Sequence, residues 1–198
     1  MEHASTMRTF IALELGDALT AQLDRVMRRL ARQATQSRWV RPDSLHLTLA
    51  FLGEIPDDLV PRVGDALVRG ATRHPPPHLL RIQGGGTFGS LECPKVLWVG
   101  VRGARETLVA LQRALVRELA LLGLAPDHAL FTPHVTLARA KSPRGDPALS
   151  RSVDLLRDMD FGELAVREVV LFSSHTDHEG MHYRPLVTHA LGGRDVSD

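Results

Sequence analysis

Hydrophobic positions along the chain switch between two periods. Arg8-Thr9-Phe10-Ile11-Ala12-Leu13 has the make-up of a strand. From Asp17 to about Ala34, Leu19, Leu23, Val26, Met27 and Leu30 recur at helical spacing. Gly16-Asp17 supplies a start, because an aspartate side chain can cap the first free amides. Trp39 to Pro42 is a loop, since proline opposes helix in the residue before it. Leu45 to Leu52 alternates as a strand, and Gly53 to Pro56 turns into a helix over roughly Asp57 to Ala71. Pro75-Pro76-Pro77 breaks the chain between elements. Leu79 to Phe88 is a strand interrupted and bulged at Gly84-Gly85-Gly86, and Val96 to Val101 is another. A third helix runs from Ala104 to Leu122, with Leu108, Leu111, Leu115, Leu119 and Leu122 in one stripe, and Gly123 ends it. His134 to Ala138 is a strand, Ser142 to Gly145 a loop and Pro147 to Arg157 a short helix. Two strands close the chain, Leu164 to Ser173 and His182 to Leu191. Strands and helices alternate, so the pattern predicts two similar lobes, each a small sheet with helices on its outer face.

The bulk numbers agree with one domain. The chain has 198 residues, 43% apolar and 24% charged, enough to bury a core without disulfides. The fold is expected over 7–192, after a loose leader at 1–6 and before a flexible tail at 193–198. No apolar run approaches the ~20 residues that span a membrane. The single cysteine, Cys93, forms no internal disulfide, which suits a reducing, cytoplasmic compartment. A net charge of +1 does not announce nucleic acid, so any affinity for it would have to come from a local cluster of arginines.

Chemistry enters through a repeat. His46-Leu47-Thr48-Leu49-Ala50 and His134-Val135-Thr136-Leu137-Ala138 share one pattern. Side chains alternate on a strand, so each copy puts an imidazole, a hydroxyl and an unobstructing alanine on one face and two apolar residues on the other. Side by side, the strands make a groove suited to a phosphate ester. An imidazole of pKa ~6.5 can be neutral or charged near neutrality. One takes a proton from an attacking water, the other gives one to the leaving oxygen, and the hydroxyls of Thr48 and Thr136 donate to the non-bridging oxygens. This inventory calls for no metal. The histidine spacings are not those of a helical zinc pair, and no acidic residue accompanies either motif on its face. Ser174 to His178 reads as an exposed loop beside the groove.

These motifs resemble the 2H phosphoesterase superfamily, and within it the RNA 2′,3′-cyclic phosphodiesterases, also called 2′-5′ RNA ligases. The resemblance runs through Arg8–Leu13, Trp39–Glu54, Phe88-Gly89 with Pro94–Trp98, and Phe131–Arg139. It implies a bilobal α+β fold with two pseudo-symmetric lobes, mostly antiparallel sheets, outer helices and a central cleft. It implies metal-independent hydrolysis of a terminal 2′,3′-cyclic phosphate to a 2′-phosphate, with 2′-5′ joining in vitro as the reverse attack. By family analogy His46 is the proton donor and His134 the acceptor. Arg139 fits the family's phosphate-contacting arginine, although strict alternation puts it opposite His134 unless the strand bulges. Trp39, Phe51 and Tyr183 are candidates to stack on a base, although core packing is the favoured role for Phe51 and Trp98; Arg38 and Arg41 beside Trp39 are read as solvated loop charges rather than RNA contacts. The expected partners are RNA ends and the expected state a monomer. A non-catalytic RNA or nucleotide-binding module, or the same chemistry on another cyclic phosphate or a 2′-5′ oligonucleotide, are the competing readings.

Overall fold

In a computed structural model, which describes residues 5–72, 74–75, 80–90, 92–126, 131–177 and 180–192, nine strands form one antiparallel sheet. The chain runs β1 (Thr6–Glu14), α1 (Asp17–Ala31), β2 (Ser37–Trp39), a 3-10 turn (Pro42–Ser44), β3 (His46–Pro56), a second 3-10 turn (Asp57–Leu59) and α2 (Val60–Thr72). It continues through β4 (Leu80–Gly89), β5 (Pro94–Gly103), α3 (Arg105–Ala120), β6 (His134–Ala140), α4 (Ala148–Leu156), β7 (Asp160–Leu164), β8 (Glu168–Asp177) and β9 (Gly180–Ala190). The strand order is β7-β4-β5-β6-β3-β1-β8-β9, with β2 on β6.

The two expected lobes are the two ends of this sheet. β3 and β6 meet through one residue pair, Leu47 opposite Val135. Away from that pair the strands no longer bond to each other, which leaves a gap between the halves. Leu47 and Val135 are both fully buried, and the core beneath them is continuous across both halves. β7 and β8 lie six strands apart, which is roughly 29 Å in a flat sheet. The four-residue step from Leu164 to Glu168 spans at most ~14 Å. The sheet is therefore sharply bent, and Val166 in the link packs into the shared core.

The helices cover the apolar side. α1 buries Leu19, Leu23, Met27 and Leu30, the stripe its spacing predicts. Its N-cap is Gly16, with no side-chain cap; Asp17 sits inside the first turn and acts only on the helix dipole. α3 buries Leu108, Leu111, Leu115 and Leu119, each side chain contributing about 1.5–3 kcal/mol by leaving water. Its end is a Schellman arrangement: the Gly123 amide bonds Ala120 O (3.0 Å) and the Leu124 amide bonds Leu119 O (3.2 Å). α2 packs on α3 at Gly70, where a Cβ would stand 3.1 Å from Leu115 Cα.

Several sequence expectations change. Leu164 and Glu168–Ser173 belong to two strands six positions apart in the sheet rather than one. Trp39, expected in a loop with Val40–Pro42, instead ends a short strand, Ser37–Trp39, because β6 offers it an edge. Residues 174–177 continue β8 rather than forming a loop. β1 opens at Thr6, and Ser5 O accepts the Asp57 amide at 3.0 Å, so the fold already includes the last two residues expected as leader. β4 is bulged between Ile82 and Gly85, as its glycines suggest. A Cβ on Gly85 would lie 2.4 Å from Leu156 of α4, and one on Gly86 2.3 Å from the Trp98 ring, so helix and indole press directly on backbone. Residues 1–4, Pro76, Pro77, Leu79, His178 and the tail at 193–198 lie outside the described residues.

Candidate active site

The two motif strands share more than sequence. From the histidine onward, both run half-buried, buried, half-buried, buried, buried, exposed. Alternation holds for four residues and then breaks at the same place in each. In β3, Thr48 pairs with Ala12 and Ala50 with Ile11, leaving Leu49 as an extra residue. In β6, Thr136 pairs with Trp98 and Ala138 with Leu97, leaving Leu137 extra. These are β-bulges, and each reverses the facing of the residues that follow, in β3 as far as a second register shift after Phe51. Ala50 and Ala138 therefore turn into the core instead of keeping the polar face clear. The next residues, Phe51 and Arg139, swing up beside the histidines. The bulge at Leu137 is what puts Arg139 on the side of His134 and Thr136.

The antiparallel pair Leu47–Val135 sets the register between motifs. It brings His46 level with Thr136 and Thr48 level with His134. All four side chains, with Arg139 and Tyr183, line one cleft of about 690 Å3. Another hollow of about 530 Å3, between α2 and α3, lies on the helical side and contains neither motif.

Each imidazole is held the same way. His46 Nδ1–H donates to Ser44 O at 2.8 Å, and His134 Nδ1–H donates to Thr132 O at 2.7 Å. A carbonyl only accepts, so Nδ1 carries the proton in both rings and Nε2 is left for the cleft. Tyr183 meets the His46 ring edge-on at 5.1 Å, and Phe88 meets the His134 ring edge-on at 4.8 Å. Phe10 leans on the first ring at 4.7 Å and Trp98 on the second at 6.1 Å. Burial holds both imidazoles below the usual histidine range. Their carbonyl bonds oppose that shift, and the Arg139 charge adds to it. Burial also pushes the Tyr183 phenol up.

Most of the residues singled out in the sequence converge here. Phe51 is 45% exposed at the cleft, with the Arg8 guanidinium 4.9 Å above its ring. Trp39 is not brought to the cleft wall. It pairs with Ala138, packs on the core and donates its indole N–H to Ala34 O at 3.2 Å. Arg41 pairs with Asp43 at 2.8 Å. Arg38 is exposed and stands opposite Arg139 in the β2–β6 register, outside the cleft lining. Trp98 is half-buried behind His134 rather than in the deep core. Arg8 and Phe10 escaped the sequence reading as site residues. Their signal was the alternation of Arg8, Phe10 and Ala12 against the core-facing Thr9, Ile11 and Leu13. Among the described residues no group of three or more His, Cys, Asp or Glu side chains is placed to hold a metal ion. Among those residues no helix is long and apolar enough to cross a membrane.

The architecture and sequence have close parallels. The chain is 31% identical over 177 residues to the RNA 2′,3′-cyclic phosphodiesterase of Methanothermobacter thermautotrophicus, covering 89% of this chain and 95% of that protein. It is 30% identical over 182 residues to the Thermotoga maritima protein of the same name, covering 91% and 93%. A crystal structure of a Thermus thermophilus protein superposes with a TM-score of 0.77 at 29% identity, covering 94% of this chain and 99% of that one. Escherichia coli LigT in complex with 3′-AMP superposes at 0.73 with 26% identity, covering 96% and 100%. The 2′-5′ RNA ligase superfamily model matches residues 13–178, and the chain belongs to that superfamily.

Proposed function

We propose that this protein hydrolyses the 2′,3′-cyclic phosphate at an RNA end to a 2′-phosphate, by general acid–base catalysis without a metal. The observation that carries the reading is the pair of anchored imidazoles, each with a free Nε2, lining one cleft with two threonines and Arg139. The relatives' shared name supplies the substrate class.

In this mechanism the phosphate lies where the motifs meet. Thr48, Thr136 and Arg139 donate to its non-bridging oxygens, where charge grows in the transition state. His134 Nε2 takes a proton from water as the water oxygen bonds to phosphorus. The P–O3′ bond breaks, and His46 Nε2–H delivers its proton to the departing O3′. His134 ends charged and His46 neutral, and exchange with solvent restores both. Because burial and Arg139 disfavour both imidazolium ions, His46 gains its proton most readily when the anionic substrate arrives beside it. A 5′-hydroxyl in place of water gives the 2′-5′ joining reaction by the reverse attack. The protein acts as a monomer, since both histidines come from one chain.

The test is an oligonucleotide ending in a 2′,3′-cyclic phosphate, incubated with the protein in EDTA, with the product phosphate mapped. A 2′-phosphate is expected. A 3′-phosphate, or activity lost with the chelator, overturns the reading. Tight binding of a 2′-phosphorylated nucleotide without turnover would make the cleft a binding module. Faster turnover of another cyclic phosphate or a 2′-5′ oligonucleotide would reassign the substrate.

A further inference from the structure

Past the pair Leu47–Val135, one edge of β6 changes neighbour. β5 holds the other edge from His134 to Arg139, so β3 and β2 share the remaining one, β3 at Val135 and β2 at Ala138 to Ala140. β2 thus fills the space that β3 leaves as it diverges, beyond the His46 end of the cleft. One level of the sheet there runs Phe88, Val96, Arg139 and Arg38 across β4, β5, β6 and β2. Residues paired across strands share a face, and Phe88, Val96 and Arg139 line the cleft. Arg38 therefore faces the cleft side, one strand beyond its lining, and is exposed.

Two arginines directly opposite each other repel. Neither guanidinium has a carboxylate or hydrogen-bond partner among the described residues, whereas the neighbouring Arg41 is held by Asp43. A level pair of unneutralised cations, one inside the cleft and one just outside it, matches two phosphates in succession along a strand better than it matches a single one.

The ribose decides which second phosphate this is. A 2′,3′-cyclic phosphate bridges O2′ and O3′. C1′, next to C2′, carries the base; C4′, next to C3′, carries C5′ and the phosphodiester to the preceding nucleotide. Base and chain therefore leave the sugar in opposite directions. In the proposed reaction His46 protonates O3′, which turns C3′, C4′ and the upstream phosphodiester toward the His46 end of the cleft. The antiparallel register puts Arg139 and Arg38 past that same end. We propose that Arg38 binds the phosphodiester joining the terminal nucleotide to its 5′ neighbour, while Arg139 faces the cyclic phosphate. The inference rests on the phosphodiesterase reading with His46 as its acid. It makes the preferred substrate the end of a chain rather than a free cyclic mononucleotide, and it gives a specificity role to a strand that carries no part of either motif.

The experiment compares three substrates with the same reacting atoms: adenosine 2′,3′-cyclic phosphate, the dinucleotide ApA ending in that group, and the same dinucleotide with a neutral methylphosphonate linkage. The wild-type protein should favour the charged dinucleotide over the mononucleotide about tenfold in kcat/KM, mainly through KM. Its log kcat/KM should also fall more steeply with log salt, by ~0.7, the increment of one phosphate contact on a single strand. Arg38→Gln and the methylphosphonate linkage should each remove both the preference and the added salt slope. Arg113→Gln, on the exposed side of α3, should leave both in place. Equal rates on the dinucleotide and the mononucleotide in the wild type, or a preference that survives Arg38→Gln or the neutral linkage, would overturn the contact and spare the phosphodiesterase. If no substrate turns over, titration with ApA 2′-phosphate and adenosine 2′-monophosphate decides. Tighter binding of the dinucleotide that Arg38→Gln abolishes would keep the contact and discard the reaction, and binding indifferent to Arg38 would discard both.

Discussion

The β3 half and the β6 half of the cleft are built on one plan and diverge at one position. Both carry histidine, an apolar residue, threonine, a bulged leucine and a buried alanine. Both anchor Nδ1 on the carbonyl two residues back, and both set an aromatic ring edge-on to the imidazole. After the bulge, β3 presents Phe51 and β6 presents Arg139. The β3 half has a cation at that spot as well, but β1 lends it, as Arg8 lying over Phe51. In the proposed reaction the shared plan gives one groove an acid and a base of similar make. In the proposed reaction the divergence lets it tell one side of a phosphate from the other, with a planar cation toward the oxygens and a phenyl face toward the sugar or base.

The largest effect that tests the shared part is loss of either imidazole. His46→Ala and His134→Ala should each cost roughly 10²–10⁴ in kcat, the size of one general acid or base, while circular dichroism shows the fold retained. A large loss in one and near-normal activity in the other would mean that only one half does chemistry. Arg139→Ala tests the divergence. Removing a charge-assisted donor of about 1.5–3 kcal/mol should lower kcat/KM roughly 10- to 100-fold. Adding Phe51→Arg to that variant moves the cation to the corresponding place in the other half. No rescue is expected, because the proposed reaction puts the nucleoside on the Phe51 side; substantial rescue would make the cleft symmetric about phosphorus. Thr48→Val and Thr136→Val keep the volume and delete one hydroxyl donor each, so about a tenfold loss is expected for either. A marked inequality between them would show which half carries the developing charge.

How much of this is legible in the sequence depends on the range of the forces involved. The faces of His46 and Thr48, or of His134 and Thr136, follow from a two-residue period and need no knowledge of the rest of the fold. The bulges are not readable that way. Leu49-Ala50 and Leu137-Ala138 fit a regular strand as well as a bulged one, and only pairing with β1 and β5 forces the extra residue. Arg139 therefore reached its place on family likeness, against the alternation. Trp39 went astray for a related reason: three residues of β2 become a strand only because β6 has a free edge, and that pairing turns the indole toward Ala34. The join of Leu164 to Ser173 into one strand failed because Ala165–Arg167 contains no glycine or proline to mark the crossing.

The smallest expected effect concerns pH, and its sign follows from the site. Both imidazoles lie below the usual histidine value in the free protein, through burial and then the Arg139 charge. The base limb of kcat/KM, which rises as His134 loses its proton, and the acid limb, which falls as His46 loses its own, are therefore both expected below pH ~6.5. With substrate bound, the phosphate anion favours imidazolium, so the optimum of kcat should lie at higher pH than that of kcat/KM. Arg139→Gln removes a cation that disfavours both charged rings and should move the kcat/KM optimum upward. The same depression bears on stability. Between the folded-state values and ~6.5 the unfolded chain binds more protons, so stability rises with pH through that window and is complete above it. Thermal midpoints at pH 5.5 and 7.5 should therefore differ less in a His46→Gln/His134→Gln variant than in the wild type. A kcat/KM optimum that ignores Arg139 would mean the arginine does not act on the reacting groups. The contrast between the halves would then be one of shape rather than charge.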